Sequence, residues 1–347
     1  MSRPVKKRIV GNTGVVVTEL GLGGASLGNL YQPMTDSSAK QIVDYLHAQQ
    51  LQLFDTAPYY GFGLSESRLG NALDKIAGDF VLSTKVGRVL HPIDDFVYQG
   101  PREGFCSEQP FSAEFDYSYD GIMQSYQASL QRLQTDKIDI LLVHDIGRQT
   151  HGAKHQYYLK QFKNSGYRAL QELKNRGAVR AIGLGVNETE ICMELMLWAD
   201  FDCFLLAGRY TLLEQGALTN LFAECLQRGI SVIAGGIFNS GILASGKQHS
   251  TRYYNYQPAP DNVLRKVAQL QAVCEVFDVQ LAAAALQFVL AHPVVCAAIP
   301  GIASLEQAQQ IVQYYNAEIP QAFWQVLKDQ QLISPLSPVP QSLTAQC

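Results

Sequence analysis

The chain has 347 residues, a formal net charge of -4 and 47% apolar residues, which is an ordinary globular composition. It has no long run of like charge, so it lacks the basic face that nucleic acid or an anionic membrane requires. Seven widely spaced cysteines without a CxxC pair predict reduced core thiols rather than a disulfide framework or a zinc site. No stretch approaches the ~18 apolar residues of a membrane span and no signal-peptide core is visible, so we expect a cytoplasmic protein.

The first predicted element is a β-hairpin. The segment "KRIVGNTGVVVTEL" has two short apolar runs around an Asn-Thr-Gly turn. We expect this hairpin to plug one end of the fold that follows.

Eight short apolar runs come next, and each is typical of a buried strand followed by a loop and a helical pattern. The runs are Leu20–Gly24, Leu51–Ala57, Phe80–Lys85, Ile138–Asp145, Ala181–Asn187, Cys203–Gly208, Ile230–Gly236 and Cys296–Gly301. Eight strands with crossover helices predict an α/β fold closed into a (β/α)8 TIM barrel, a single domain over residues 1–347.

The helices between the runs carry their own boundary signals. "DSSAKQIVDYLHAQ" begins with Asp36 and Ser37 as candidate caps, and "GYRALQELKNRG" ends at Gly177. Neither helix is long enough for a coiled coil.

Two connections exceed the usual loop length, at residues 87–120 and 243–261. Loops of this length commonly form lids or substrate walls. The second contains Tyr253, Tyr254 and Tyr256, which either stack on a ligand or anchor the loop to the barrel.

Four side chains stand at or just after predicted strand ends: Asp55, Tyr60, Lys85 and His144. The carboxyl ends of barrel strands converge on one mouth. There an ammonium group lowers the pKa of a phenol, a carboxylate holds the ammonium, and the phenol exchanges a proton with an alcohol or carbonyl. Each residue alone could be a cap, a rim aromatic, a surface charge or a core histidine, but the four together predict catalysis.

Two other patterns have plainer interpretations. His151 and His155 are four apart, but no HExxH motif or third ligand accompanies them, so we expect a solvated loop and no metal site. The glycines at 21–24 and 183–185 do not form GxGxxG and are better interpreted as small residues beneath a bound cofactor.

The motifs "FDTAPYYGFGLSESRLGNAL", "STKVGR", "DILLVHD" and "AIPG", in this order, resemble the aldo-keto reductases over nearly the full length. The resemblance implies a tetrad of Asp55, Tyr60, Lys85 and His144, with Tyr60 exchanging the proton and a nicotinamide cofactor extended across the mouth. Within the family, "IGLGVNE" and the segment before "VHD" most resemble the D-threo-aldose 1-dehydrogenase and L-fucose dehydrogenase branch, with pyridoxal 4-dehydrogenase a close relative.

The same resemblance implies a set of cofactor contacts by position. They are Gly24, Ala25, Asn187, Gly236, Ile237, Phe238, Asn239, Gly241, Gly301 and Gln307. Two departures stand out. Many members have a nicotinamide-stacking aromatic where this chain has Gly235, which leaves Tyr210 or Phe238 as substitutes. NADP-preferring members usually carry a Lys and an Arg where this chain has Gly301 and Gln307, so NAD is favoured, with NADP as the alternative.

The functional expectation is NAD-dependent oxidation of a cyclic aldose, such as L-fucose, to its lactone. Three alternatives remain: oxidation of pyridoxal, general aldehyde reduction, and a non-catalytic barrel that binds nicotinamide and a protein partner. The expected partner is a small molecule, with neither nucleic acid nor membrane, and the expected assembly is a monomer or a small homo-oligomer.

Overall fold

The computed structural model describes residues 4–74, 76–244, 253–255 and 257–341. Its strands are β1 (Lys7–Val10), β2 (Val15–Thr18), β3 (Gly21–Gly23), β4 (Leu53–Asp55), β5 (Val81–Val86), β6 (Arg88–Pro92), β7 (Phe111–Phe115), β8 (Ile140–His144), β9 (Ala181–Val186), β10 (Cys203–Ala207), β11 (Ser231–Gly235), β12 (Tyr253–Tyr254), β13 (Gln257–Pro258) and β14 (Val295–Ile299).

Its α-helices are α1 (Asp36–Ala48), α2 (Leu64–Leu73), α3 (Tyr119–Leu133), α4 (Arg148–His151), α5 (His155–Gln161), α6 (Tyr167–Asn175), α7 (Glu190–Met196), α8 (Leu221–Arg228), α9 (Asp261–Phe277), α10 (Leu281–Leu290), α11 (Leu305–Asn316) and α12 (Gln321–Asp329). The cap of α1 differs from the prediction, because Thr35 rather than Asp36 or Ser37 accepts the hydrogen bond from the Ser38 amide.

The barrel is formed by one parallel sheet in the order β14-β11-β10-β9-β8-β5-β4-β3. Parallel bridges from Leu20 to Ala298 and from Gly23 to Gly301 join its two edges. The strands β8 and β9 are buried along their whole length, as expected where one face meets the barrel interior and the other the helices. The predicted (β/α)8 barrel is confirmed.

The N-terminal hairpin of β1 and β2 is also confirmed, and it closes the end of the barrel where the strands begin. Val10, Val15 and Val17 are fully buried and pack in one cluster with residues at strand starts, such as Leu53 and Ile140. The mouth at the other end is therefore the one left open for chemistry.

The long connection after β5 is more ordered than a plain loop. It contains the antiparallel pair β6 and β7, and we call residues 87–118 the insert. Within it, the Arg102 guanidinium lies 4.1 Å from the Phe62 ring centroid and 4.4 Å from that of Phe96. Ser107 donates a hydrogen bond of 2.7 Å to the Gly61 carbonyl, so the insert is fixed to the turn that carries Tyr60.

The second long connection is described in part. Tyr253–Tyr254 pairs with Gln257–Pro258, and Arg209 donates a hydrogen bond to Asn255. Tyr254 is partly buried against the core and Tyr253 is 46% exposed, whereas Tyr256 and residues 245–252 lie outside the described residues.

Two sequence expectations concern the rest of the molecule. The six cysteines within the described ranges are free thiols, and five of them are buried, as expected for core thiols. In the same ranges no single helix is long and apolar enough to cross a membrane; α9 and α10 meet the length and composition criteria only as a pair, bent by 101°.

Candidate active site

The four residues predicted to carry the chemistry meet at the open mouth. Asp55 is the last residue of β4, Lys85 lies near the end of β5, and His144 is the last residue of β8. These strands are consecutive in the sheet, so their carboxyl ends are neighbours. Tyr60 comes from the turn between β4 and α2 and completes the group.

Asp55 and Lys85 form a buried ion pair. Lys85 Nζ lies 2.7 Å from Asp55 Oδ2 and donates to the Thr56 carbonyl at 2.8 Å, while the Ser83 hydroxyl donates to Asp55 Oδ1 at 2.7 Å. Burial alone lowers the pKa of Lys85, but the charge of Asp55 and the hydrogen-bonding contact with Tyr60 outweigh it and raise the pKa above its usual value. The amine is therefore a stable cation beside the phenol.

Tyr60 is partly buried, and its ring is close to both the cation and the imidazole. Lys85 Nζ lies 4.7 Å from the Tyr60 ring centroid. The His144 ring lies 5.8 Å from the same ring at an interplanar angle of 86°. A phenol next to an ammonium group can exchange a proton near neutral pH, which is the arrangement that general acid-base catalysis needs.

Two glycines let the turn before α2 approach the loop after β3. A Cβ on Gly61, whose φ is +65°, would lie 2.4 Å from the Gly28 carbonyl oxygen. A Cβ on Gly28 would lie 2.5 Å from the carbonyl carbon of Tyr60. These close backbone contacts fix the position of Tyr60.

The charged residues of "SESRLG" have structural partners instead of a catalytic role. Glu66 is fully buried and accepts hydrogen bonds of 2.6 Å each from Thr84 and Arg132, which joins α2 to β5 and α3. Arg68 donates to carbonyl groups of the loop after β3, including 2.6 Å to Leu27.

His144 is held as a neutral imidazole. Burial, and then the charges of Arg88 and Lys85, lower its pKa well below the usual value. Its Nε2 lies 3.4 Å from Asp145 Oδ2, and its Nδ1 has no hydrogen-bond partner in the described part of the chain. The backbone at this position is fixed by the Tyr117 hydroxyl, which donates to the His144 carbonyl at 2.7 Å.

The sequence reasoning missed an ion pair beside the tetrad. Arg88, the first residue of β6, donates to Asp145 Oδ2 at 2.6 Å, and its guanidinium lies 3.7 Å from the Tyr59 ring centroid and 4.4 Å from that of Phe115. Arg88 lies in the motif "STKVGR" and Asp145 in the motif "DILLVHD", but only the fold shows that the two residues meet.

The interpretation of His151 as part of a solvated loop is wrong. His151 ends α4, is partly buried, and has Nε2 2.9 Å from the Tyr117 hydroxyl. Burial, followed by the charge of Arg88, lowers its pKa to about 4. His155 is also buried, at the start of α5. Among the residues that the structure describes, no cluster of three or more His, Cys, Asp or Glu could hold a metal ion.

The predicted cofactor residues follow the ends of four barrel strands, β3, β9, β11 and β14. Asn187, just after β9, is partly buried and donates to Asp145 Oδ1 at 3.2 Å. On the β3 side, Gly24 donates to the Asp55 carbonyl at 2.7 Å, and a Cβ there would lie 2.5 Å from that oxygen. Ala25 beside it is partly buried.

Five predicted cofactor residues follow β11. Gly236 is exposed with φ +56°, Gly241 has φ +89°, Phe238 is partly buried and Ile237 fully so. Asn239 is 3% exposed, and its side chain accepts from Thr211 at 2.6 Å and donates to the Gly208 carbonyl at 3.3 Å, so its amide shapes the loop.

Gly301 lies just after β14 and Gln307 lies in the first turn of α11, and both are exposed. The Gln307 side chain accepts a hydrogen bond of 2.8 Å from the Ala303 amide and helps to cap α11.

The two proposed substitutes for a ring-stacking aromatic differ in placement. Tyr210 is 2% exposed and packs at 4.8 Å against Phe222 and 5.2 Å against Phe288, away from the mouth. The expectation that Tyr210 could stack on nicotinamide is therefore wrong, because its ring is enclosed by other aromatic side chains. A Cβ on Gly235 would lie 3.1 Å from Leu205 Cδ2, so the position has little room for a ring.

Arg209 was not singled out from the sequence, yet it directly follows Gly208 beside the loop after β11. It is partly buried, and its Nε has no partner among the residues described. A buried cationic donor of this kind suits an anionic group such as a pyrophosphate.

A parallel eight-stranded barrel with a buried Asp-Lys pair, a tyrosine and a neutral histidine at its mouth defines an oxidoreductase that moves a proton and a hydride. The chain belongs to the Aldo/keto reductase family, whose sequence profile matches residues 19–330.

Relatives support this placement. The chain is 38% identical over 345 residues to the pyridoxal 4-dehydrogenase of Microbacterium luteolum, with 95% of this chain and 98% of that protein covered. It is 34% identical over 323 residues to a D-threo-aldose 1-dehydrogenase of a Pseudomonas species, with coverage of 92% and 96%. Among solved structures, an aldo-keto reductase from Bacillus halodurans in its holo form is 26% identical, with a TM-score of 0.73 and coverage of 97% and 99%.

Proposed function

We propose that this chain oxidises a cyclic lactol to its lactone with NAD as the hydride acceptor, and that the lactol is an aldose of the L-fucose or D-threo-aldose type. The observation that carries the proposal is the contact between the buried Asp55-Lys85 pair and Tyr60, with the neutral His144 ring 5.8 Å from the Tyr60 ring. The 34% identical D-threo-aldose 1-dehydrogenase is consistent with this substrate class.

The chain's own residues account for the proton transfer. Lys85 stabilises the phenolate of Tyr60, which accepts the proton of the anomeric hydroxyl as the C–H bond breaks. Asp55 keeps Lys85 charged, and the neutral imidazole of His144 orients the reacting oxygen. The nicotinamide, when bound, accepts the hydride, so the lactol loses one proton and one hydride to become the lactone.

The residues along the mouth fit a nicotinamide dinucleotide. Arg209, with its buried Nε that has no partner among the described residues, would hold the pyrophosphate together with the backbone at Gly236, and Asn187 would hold the carboxamide. Residues 301–307 contain no Lys or Arg, and the Gln307 amide is engaged with Ala303, so a 2'-phosphate has no cation in this segment. NAD is therefore the proposed cofactor.

Pyridoxal is the second candidate, since its cyclic hemiacetal presents the same lactol. Two observations favour it: the 38% identical relative is a pyridoxal 4-dehydrogenase, and Phe105 lies 6.2 Å from the Tyr60 ring and 5.3 Å from the Tyr59 ring. An aromatic wall of this kind suits a planar pyridine ring.

The deciding experiment measures NADH formation with L-fucose, D-arabinose, L-galactose and pyridoxal, each with NAD and with NADP. Activity on the sugars with NAD supports the aldose proposal. Activity on pyridoxal alone moves the substrate to the second candidate, and no activity on any of the four contradicts lactol oxidation.

Replacing Tyr60 tests the catalytic assignment. Tyr60→Phe should lower kcat by roughly 10²- to 10⁴-fold because the proton acceptor is lost, with the dissociation constant for NAD almost unchanged. The matched control is Tyr126→Phe in α3, where the lost hydroxyl contacts only the Ala178 carbonyl at 3.4 Å, and it should keep kcat. Full turnover in Tyr60→Phe would exclude Tyr60 as the proton acceptor.

A further inference from the structure

The ion pair between Arg88 and Asp145 bears on the state of His144. Asp145 Oδ2 accepts a hydrogen bond from Arg88 Nη2 at 2.6 Å and lies 3.4 Å from His144 Nε2. Asn187 donates to the other oxygen, Oδ1, at 3.2 Å. The carboxylate is thus held by Arg88 and Asn187, and the imidazole makes only the long contact.

Arg88 is fixed in this position by its surroundings. It is 8% exposed and its guanidinium lies between the rings of Tyr59 and Phe115. Its position at the start of β6 is set by pairing with Phe115 in β7. Because water screens the charge of a buried cation only weakly, Arg88 has a strong electrostatic effect on neighbouring groups.

We propose that Arg88 is a positioning residue of the active site: by engaging Asp145 it prevents that carboxylate from forming an ion pair with His144, and so keeps the imidazole neutral for contact with the substrate oxygen. Without Arg88, Asp145 would be a buried, unpaired carboxylate next to the imidazole, and protonation of His144 would become favourable. An imidazolium beside Tyr60 would stabilise the phenolate further and make it a weaker proton acceptor.

The groups around His144 agree with this assignment. The titratable and charged side chains that face it are Tyr59, Tyr60, Lys85, Arg88 and Asp145, with Tyr117 and His151 on its backbone side. The charges of Arg88 and Lys85 act with burial to lower the pKa of His144. Asp145 is the one carboxylate among these groups, so it is the group that could form an ion pair with a protonated His144.

The test uses the full chain with saturating NAD and three variants. Arg88→Met removes the charge but keeps an apolar stem between the rings, Arg88→Lys keeps the charge, and Arg88→Met with Asp145→Asn removes both partners. Two quantities are measured: the acid limb of kcat/KM against pH, and the titration of the His144 ring by NMR with labelled histidine, assigned through His144→Gln.

In Arg88→Met both the acid limb and the His144 titration should move to higher pH by roughly one to three units. Arg88→Lys should stay close to the unmodified protein, and the double variant should reverse the shift. An equal loss of activity at every pH, with the His144 titration unmoved, would show that Arg88 is merely structural. If Arg88→Met does not fold, Asp145→Asn alone decides: an unchanged His144 titration supports the proposal, and a clear fall, which would show that Asp145 already stabilises the imidazolium, overturns it.

The kinetic arm rests on the proposed function, but the NMR arm needs no substrate. Silence on the lactol panel with the expected NMR shift would remove the proposed substrate and keep the role of Arg88. Turnover of a lactol with no change in the His144 titration would keep the proposed substrate class and remove the proposed role of Arg88.

Discussion

At the scale of single residues, the candidate active site contains two buried charges, Asp55 and Lys85, and removing such charges from water costs free energy. Lys85 is 1% exposed and Asp55 is 2% exposed. Burial raises the pKa of Asp55, and the ammonium of Lys85 and the Ser83 hydroxyl offset only part of this. Gly185 leaves room for the lysine, because a Cβ there would lie 3.2 Å from Lys85 Cε. Such a pair is weak evidence for stability, and its position beside Tyr60 is consistent with the proposed catalytic role.

Separating the pair should therefore destabilise the protein more than removing it. Lys85→Met leaves a buried carboxylate without its cation and should lower the free energy of unfolding by about 3 to 5 kcal/mol. Lys85→Met with Asp55→Asn should regain much of that loss, while both variants lose turnover. Urea unfolding followed by circular dichroism measures the difference, and equal stability of the single and double variants would contradict this account.

At the scale of elements, three segments together place Tyr60. The turn before α2 lies against the loop after β3 through Gly28 and Gly61, and the insert is attached to that turn by Ser107. Phe105 of the insert covers the rings of Tyr59 and Tyr60. The position of the Tyr60 hydroxyl, the proposed proton acceptor, therefore depends on contacts between loops that are far apart in the sequence.

A methyl group at Gly28 should disturb this arrangement. Gly28→Ala would place its Cβ 2.5 Å from the Tyr60 carbonyl carbon, so the turn must shift. We expect kcat to fall at least about tenfold, since a misplacement near 1 Å is enough for such losses. Gly216→Ala is the control, because a Cβ there meets nothing within 4 Å, and it should keep kcat. An unchanged kcat in Gly28→Ala would show that the turn tolerates the shift.

At the scale of the whole molecule, stability and chemistry are at opposite ends of the barrel. The hairpin of β1 and β2 closes the end where the strands begin. Arg8 fastens it there by donating to the carbonyls of Leu290 at 2.7 Å and Val295 at 2.5 Å and by pairing with Glu19 at 2.6 Å. Changes at this end should affect folding and leave the mouth intact.

Arg8→Ala tests this separation. Arg8→Ala removes the carbonyl contacts and also the cation beside Glu19, which is 6% exposed and keeps the hydrogen bond of 2.8 Å from the Tyr315 hydroxyl. The free energy of unfolding should fall by about 2 to 4 kcal/mol. The control is Lys40→Ala, whose pair with Asp44 is exposed and should contribute less than ~0.5 kcal/mol. Chemical denaturation gives both values, and kcat per folded molecule should not change. A loss of kcat without a loss of stability would contradict the separation.

The barrel, the hairpin and the meeting of Asp55, Lys85 and His144 at one mouth could be predicted from the sequence alone. Strand runs and turn residues act locally, and the ends of consecutive parallel strands must meet at one mouth, so Asp55, Lys85 and His144 could be placed together from their positions along the chain. Three contacts became visible only in the folded chain: Arg88 with Asp145, His151 with Tyr117, and Tyr210 with Phe222 and Phe288. These contacts join segments whose relative positions depend on packing between loops and helices, and no local pattern of hydrophobicity or turn residues encodes that packing.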